Sequence, residues 1–154
     1  MALADYNDRE IDVLAFRGTQ ASGEVLLDAS LLDEESTGEI CTGIVKLAQR
    51  VLLEFLTIQG SIPHQPERGC EMMQSLQTGK ARTTADVRAI FALSELDVRA
   101  NLQGEELEED PADERYLRST LKSVTVAPGQ VTLSFELQSR ADHATVILPV
   151  SIVV

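Results

Sequence analysis

The hydrophobic period changes once along this chain, and that change restricts the fold more than any other feature. Between residues 42 and 102 apolar side chains recur every three or four positions, the period of an α-helix. From residue 117 onwards they alternate with polar ones, the period of a β-strand. A block of helices followed by a block of strands does not make the alternating units of a parallel sheet. The expected fold is α+β: two long helices and one short helix on one face of a small, mostly antiparallel sheet, with a C-terminal three-stranded meander. At 154 residues the chain has the length of one domain.

The first helix is expected over residues 42–56. Thr42 is a suitable N-cap, and Ile44, Leu47, Ala48, Val51, Leu52 and Phe55 form one face. Val45, Leu53 and Leu56 widen that face, so the helix is central to the core or lies between the core and a partner. Gly60 is the expected stop. Residues 57–69 then form a loop whose prolines, Pro63 and Pro66, and glycines, Gly60 and Gly69, fix the backbone path. A short helix over 71–77 should end near Gly79. The second long helix is expected over 85–102, opened by a Thr83–Asp86 capping box and closed at Gly104. Within it Glu95 and Arg99 are spaced for an i,i+4 pair, Ser94 interrupts the apolar stripe, and Leu93 and Leu96 fall on another side.

Among the strands, Val131, Leu133, Phe135 and Leu137 alternate with polar residues, as a half-buried antiparallel strand should. The final strand, residues 144–154, is apolar at Val146, Leu148, Val150 and Ile152 and also at Ile147 and Val153. Pro149 within it cannot donate to a ladder, which places the strand at a sheet edge. An apolar edge strand aggregates unless something covers it, so it either frays under the helices or pairs with a partner protein.

Charge is distributed unevenly. Residues 1–60 hold 11 acids and 4 bases, residues 61–110 hold 10 and 5, and residues 111–154 hold 4 of each, making up the total of −12. Residues 1–40 read as an acidic extended arm with one or two short strands, either a solvated tail or a segment ordered by a partner. Residues 41–154 form the folded domain. The run at residues 105–110 reads as a solvated loop and lacks the ligand pattern of a calcium loop. An acidic chain with 4% aromatic residues and no Trp is not expected to bind nucleic acid or an anionic membrane. No signal-peptide pattern or apolar run near ~20 residues is present, and Cys41 and Cys70 are too few for a disulfide framework, so a reducing cytoplasm is the expected place of synthesis.

No residue set carries a specific catalytic signature, and the expectation is a protein that works by contact, with no catalytic, metal or cofactor site. Cys41, His64, Cys70 and His143 lack the close ligand pairs of a zinc site. Cys70 with His64 lacks an orienting group, and both cysteines read as small buried hydrophobes. Acid pairs of the kind a cell-wall hydrolase uses are too abundant to mean anything, and the aromatic platform for a sugar is thin.

One stretch carries a resemblance. Residues 43–50, Gly-Ile-Val-Lys-Leu-Ala-Gln-Arg, then Leu56-Thr57, Gly60-Ser61-Ile62-Pro63, and Pro66 to Gly69 resemble the contractile-tail baseplate wedge family, also called the protein W or lysozyme-like wedge family. In that family a helix ends in Leu-Thr, a Gly-Ser-Ile-Pro-like turn follows, and a Pro-x-x-Gly element comes next. The family's Glu-Pro-Arg signature is not contiguous here. Its region reads Glu109-Asp110-Pro111-Ala112-Asp113-Glu114-Arg115. The resemblance implies a virion protein of a phage baseplate, present in several copies in a symmetric assembly. It implies contact with wedge proteins, tail sheath protein and the tail tube, and the start of sheath assembly. It does not imply hydrolysis. A phage-like secretion or injection system would give nearly the same sequence. The residues expected at the interfaces are Gly60, Ser61, Pro63, Pro66, Arg68, Gly69 and Arg115, with Val146, Leu148, Val150 and Ile152 of the final strand.

Overall fold

The computed structural model describes residues 9–10, 12–13, 16–17, 28–29, 40–141 and 145–153. The rest of the expected acidic arm, His143, and the first and last residues of the expected final strand lie outside these.

Four two-residue strands come first: β1 (Asp12–Val13), β2 (Phe16–Arg17), β3 (Asp28–Ala29) and β4 (Ile40–Cys41). β1 pairs with β4 and β2 with β3, both antiparallel. Helices α1 (Gly43–Leu56), α2 (Met72–Gln77) and α3 (Thr84–Glu105) follow. The chain then forms β5 (Tyr116–Ala127), β6 (Gln130–Ser139) and β7 (Thr145–Val153), an antiparallel sheet in the order β5-β6-β7. The fold is therefore α+β, with three helices against one face of a C-terminal meander.

The alternation in β6 sets the layers. Val131, Leu133, Phe135 and Leu137 are all buried, while the polar residues between them point away from the helices. In register, Phe135 lies opposite Leu148 of β7 and Leu121 of β5. Ala127 pairs with Gln130 across the turn at Pro128 and Gly129, where Gly129 takes a φ of 76° that a residue with a Cβ adopts with strain. Three phenylalanines from three elements meet at the centre. Phe55 of α1 stacks on Phe91 of α3 at 5.1 Å, and Phe135 of β6 tilts against both at 5.2 and 5.5 Å.

The helix ends differ from expectation in instructive ways. The capping box at α3 is present: Asp86 N–H donates to Thr83 Oγ1, and Thr83 N–H donates to Asp86 Oδ2 at 2.9 Å. Those bonds hold the Asp86 carboxyl below its usual pKa. The helix runs through Gly104 to Glu105, with no positive φ at the glycine. α1 stops at Leu56 with Thr57 as C-cap, so Gly60 serves the following turn and not the helix end. Thr42 occupies the N-cap of α1, yet its side chain makes no capping bond. Glu114, remote in sequence, accepts the Gly43 N–H at 2.9 Å instead.

Replacing Phe91 by Ala removes one ring of the central cluster, and the expected loss is about 3–5 kcal/mol in urea unfolding, with the m-value unchanged. Thr83→Ala should cost about 1 kcal/mol. The Asp86 contribution is present above the unfolded carboxylate pKa and fades as pH falls through the lower folded value. A melting-temperature series in acid should therefore show less pH dependence for Thr83→Ala than for the parent chain.

Candidate functional site

The loop expected over residues 57–69 leaves α1 at Thr57 and returns at Cys70. Its neck is closed by backbone alone. Cys70 N–H donates to the Thr57 carbonyl at 3.0 Å, Gln59 N–H donates to the Cys70 carbonyl at 3.3 Å, and Ile58 and Cys70 form a parallel bridge. Three turns stack inside the loop: Ser61 N–H to the Ile58 carbonyl, Gln65 N–H to Ile62, and Arg68 N–H to Gln65, at 3.0–3.1 Å. The result is a compact Ω-type loop, its ends together and its interior filled by its own backbone.

One carboxylate fastens that loop to the helices. Glu54, on α1, is 4% exposed. It accepts the Gly69 N–H at 2.9 Å and the Asn101 amide of α3 at 3.1 Å, and pairs with Arg68 at 2.6 Å. Asn101 also donates to the carbonyls of Glu67 and Gly69. Arg68 turns back to Glu105 at the end of α3 at 2.9 Å, where Arg50 of α1 joins it at 3.4 Å. A buried carboxylate is tolerable only when its lone pairs are spent in this way.

Gly69 completes the anchor. Its φ is +84°, and a Cβ there would collide with the backbone carbonyl of Thr57. Gly43, at the start of α1, also takes a left-handed backbone conformation, but its near neighbours are side chains. Its φ is +63°, and a Cβ would approach Asp113 Oδ2 to 2.7 Å. Here the segment before β5 meets the start of α1. Glu114 is buried and binds Gly43 N–H and Lys46 at 3.1 Å, while Asp113 pairs with Arg9 at 2.9 Å. Lys46 also donates to the Glu10 carbonyl, and Gln49 donates to Asp12 at 2.9 Å, so Glu10 and Asp12 are tied to α1.

The expected interface residues thus divide by position. Gly60, Ser61, Pro63 and Pro66 are exposed on the loop's outer side, with His64, Gln65 and Glu67. Arg68 and Gly69 face inward as the anchor. Arg115 is half-buried. Its carbonyl accepts from Arg140 N–H, and its Nε is buried without a hydrogen bond among the described residues. On β7, Leu148 and Ile152 are buried and Val150 half-buried, all part of or packed on the core. The backbone of Val146 pairs with Leu137. What β7 displays is its outer backbone edge, with Ile147 37% and Val153 83% exposed. Sequence reasoning missed Glu54, Asn101 and Glu114. A glutamate on the apolar side of a helix was the one available signal.

The acidic run at residues 105–110 is not simply solvated. Glu105 binds two arginines, Glu106 accepts the Tyr116 N–H, and Asp110 accepts the Leu107 N–H. Glu95 does pair with Arg99 at 2.7 Å, and this buried carboxylate also meets the Tyr116 hydroxyl and the Ser119 N–H. Cys41 and Cys70 are buried free thiols. Burial pushes Cys41 up to about 11 and raises Cys70 as well. His64 is exposed and belongs to the loop's outer side. Among the described residues no group of His, Cys, Asp and Glu is placed to hold a metal ion, and no helix is long and apolar enough to cross a membrane.

Comparison with protein-family models, curated proteins and solved structures finds no match to this chain.

Glu54→Ala leaves the buried Gly69 N–H without its acceptor and takes away the buried partner of Arg68, and should cost about 3 kcal/mol. Limited trypsin digestion should then cut after Arg68, a bond the parent loop protects. The native thiols should label slowly at pH 8 with a disulfide reagent, and rapidly once the chain is unfolded.

Proposed function

We propose that the protein is a structural component of a phage contractile-tail baseplate, linking wedge proteins to the tail tube and sheath and initiating sheath assembly. One observation carries the reading. The residues through which the chain resembles the wedge family are those on which the loop's geometry depends. Gly43 and Gly69 both take a positive φ, and a Cβ at Gly69 would collide with the Thr57 backbone. Thr57 supplies both the C-cap of α1 and the neck of the loop. Gly60, Ser61, Pro63 and Pro66 then form an exposed surface on a base fixed by Glu54. A loop held this firmly loses little entropy on docking, which is what a repeated joint in an assembly needs.

The edge of β7 supports the reading from a second direction. A strand with apolar Ile147 and Val153 exposed, and with no strand paired to its outer side among the described residues, is suited to take up a strand from a neighbouring protein. On this reading β7 meets the sheath protein, the loop meets wedge proteins, and the protein acts in the virion by contact alone. The neutral C-terminal third offers no charge barrier to such pairing.

The test separates fold from function. Because Leu148 and Ile152 belong to the core, deleting β7 would unfold the domain, and the outward residues are the ones to change. Ile147→Lys with Val153→Lys should leave the melting temperature within a few degrees of the parent value. It should abolish sheath polymerisation on particles that still carry wedge complexes. Sheath of normal length on such particles, or absence of the parent protein from purified intact tails, overturns the proposal.

A further inference from the structure

The segment that carries Arg9, Glu10 and Asp12 is fastened to the folded domain by polar contacts. Arg9 pairs with Asp113 at 2.9 Å and lies 3.6 Å from Glu114. Lys46 donates to the Glu10 carbonyl at 3.1 Å and lies 3.7 Å from the Glu10 carboxylate. Asp12 accepts from Gln49 at 2.9 Å. The backbone adds two residue pairs, Asp12 with Cys41 and Val13 with Ile40. None of Arg9, Glu10 and Asp12 belongs to the continuous apolar core, which takes in α1 from Ile44 and Leu47 onward.

Cys41 lies against this segment. It is 4% exposed, yet it is not a member of the continuous core. Its strand partner is Asp12, and the charges that act on its thiol are Asp12, Lys46 and Glu114, all of them part of the same polar fastening. Cys70 is placed differently. It is fully buried within the core, and its thiol donates to the Phe55 carbonyl. The two thiols therefore have different covers: a short polar segment over Cys41, packed helices over Cys70.

Proteins open locally at free energies from almost nothing up to the whole stability, and segments with few apolar contacts open first. Lifting Arg9, Glu10 and Asp12 from the domain breaks ion pairs and hydrogen bonds but removes no member of the core. Partly exposed ion pairs are each worth little and are screened by salt. Nor does the opening strand a buried charge, the usual reason such a contact is costly to break. Glu114 keeps the Gly43 N–H and Lys46, both within the domain.

We infer that the segment carrying Arg9, Glu10, Asp12 and Val13 is a detachable strap, which closes over Cys41 and opens as a unit while the helices and the meander stay folded. Ionic strength sets how often it is open. The N-terminal arm thereby has a switchable attachment, held at low salt and released at high salt. The strap is separate from the loop and from β7, and the inference does not rest on the baseplate reading.

The test follows both thiols of the full chain with a disulfide reagent at pH 8, each site read separately by peptide mass spectrometry. Cys41 should react about tenfold faster than Cys70, and both more slowly than in the unfolded chain. Raising salt from about 0.05 M to about 1 M should speed Cys41 severalfold while Cys70 stays slow. Arg9→Gln removes the strap's pairs with Asp113 and Glu114, and should speed Cys41 about fivefold at an unchanged melting temperature. Asp113→Asn should act in the same direction, and the double variant should go no further than Arg9→Gln alone. Lys122→Gln breaks an ion pair on the sheet, Lys122 with Glu136 at 2.7 Å, and should leave Cys41 unchanged. Equal rates at the two thiols, or a Cys41 rate that Arg9→Gln does not change, overturn the inference.

Discussion

The Glu54 carboxylate is the interaction on which the presentation of the loop depends. It lies on α1 where the returning loop and α3 converge, and both of these send it donors: Arg68 and Gly69 from the loop, Asn101 from α3. A buried charge of this kind adds little net stability over an apolar replacement of the same shape. Its effect is on uniqueness. The carboxylate, the Gly69 N–H and the Asn101 amide are satisfied together in this placement of the loop, which favours it over others. The glycine at position 69 follows from the same demand, since the backbone must pass against the Thr57 carbonyl to reach Glu54.

Polar groups fix the elements relative to one another, and apolar ones hold them together. The phenylalanine cluster of Phe55, Phe91 and Phe135 joins α1, α3 and the sheet without specifying register, because ring packing adapts to small shifts. Glu95 places Tyr116 and Ser119 at the start of β5 against α3. Glu114 places the segment before β5 on the first turn of α1, where a carboxylate also complements the helix dipole. Three acids of an acidic chain are thus used as internal joints. The surplus of negative charge that remains on the surface is a separate matter.

The same division explains what the sequence made legible. The helices, the capping box at Thr83, the alternation in β6 and the edge position of β7 all follow from local periodicity and turn chemistry, and each is found in the fold. The loop was legible as a constrained path, from its prolines and glycines. Its inward and outward sides were not. Arg68 and Gly69 belong to the anchor because of Glu54 and Asn101, and nothing at positions 68 and 69 reveals partners on two different helices. Leu148 and Ile152 are core residues for a similar reason: a strand apolar on both sides leaves open which side the helices take.

By itself the sequence determined the fold class, the order and type of its elements, and the presence of one loop with a fixed path. These depend on interactions among residues close in the chain. Only the tertiary structure decided where the acids go. Thr42 has the side chain of an N-cap, yet Glu114 does the capping. The run at residues 105–110 has the composition of a solvated loop, yet Glu105 and Glu106 hold arginines and a strand. The physical reason is range. A helix period is set within a few residues, whereas the partner of a buried carboxylate is chosen by whichever donors the packed core brings to it.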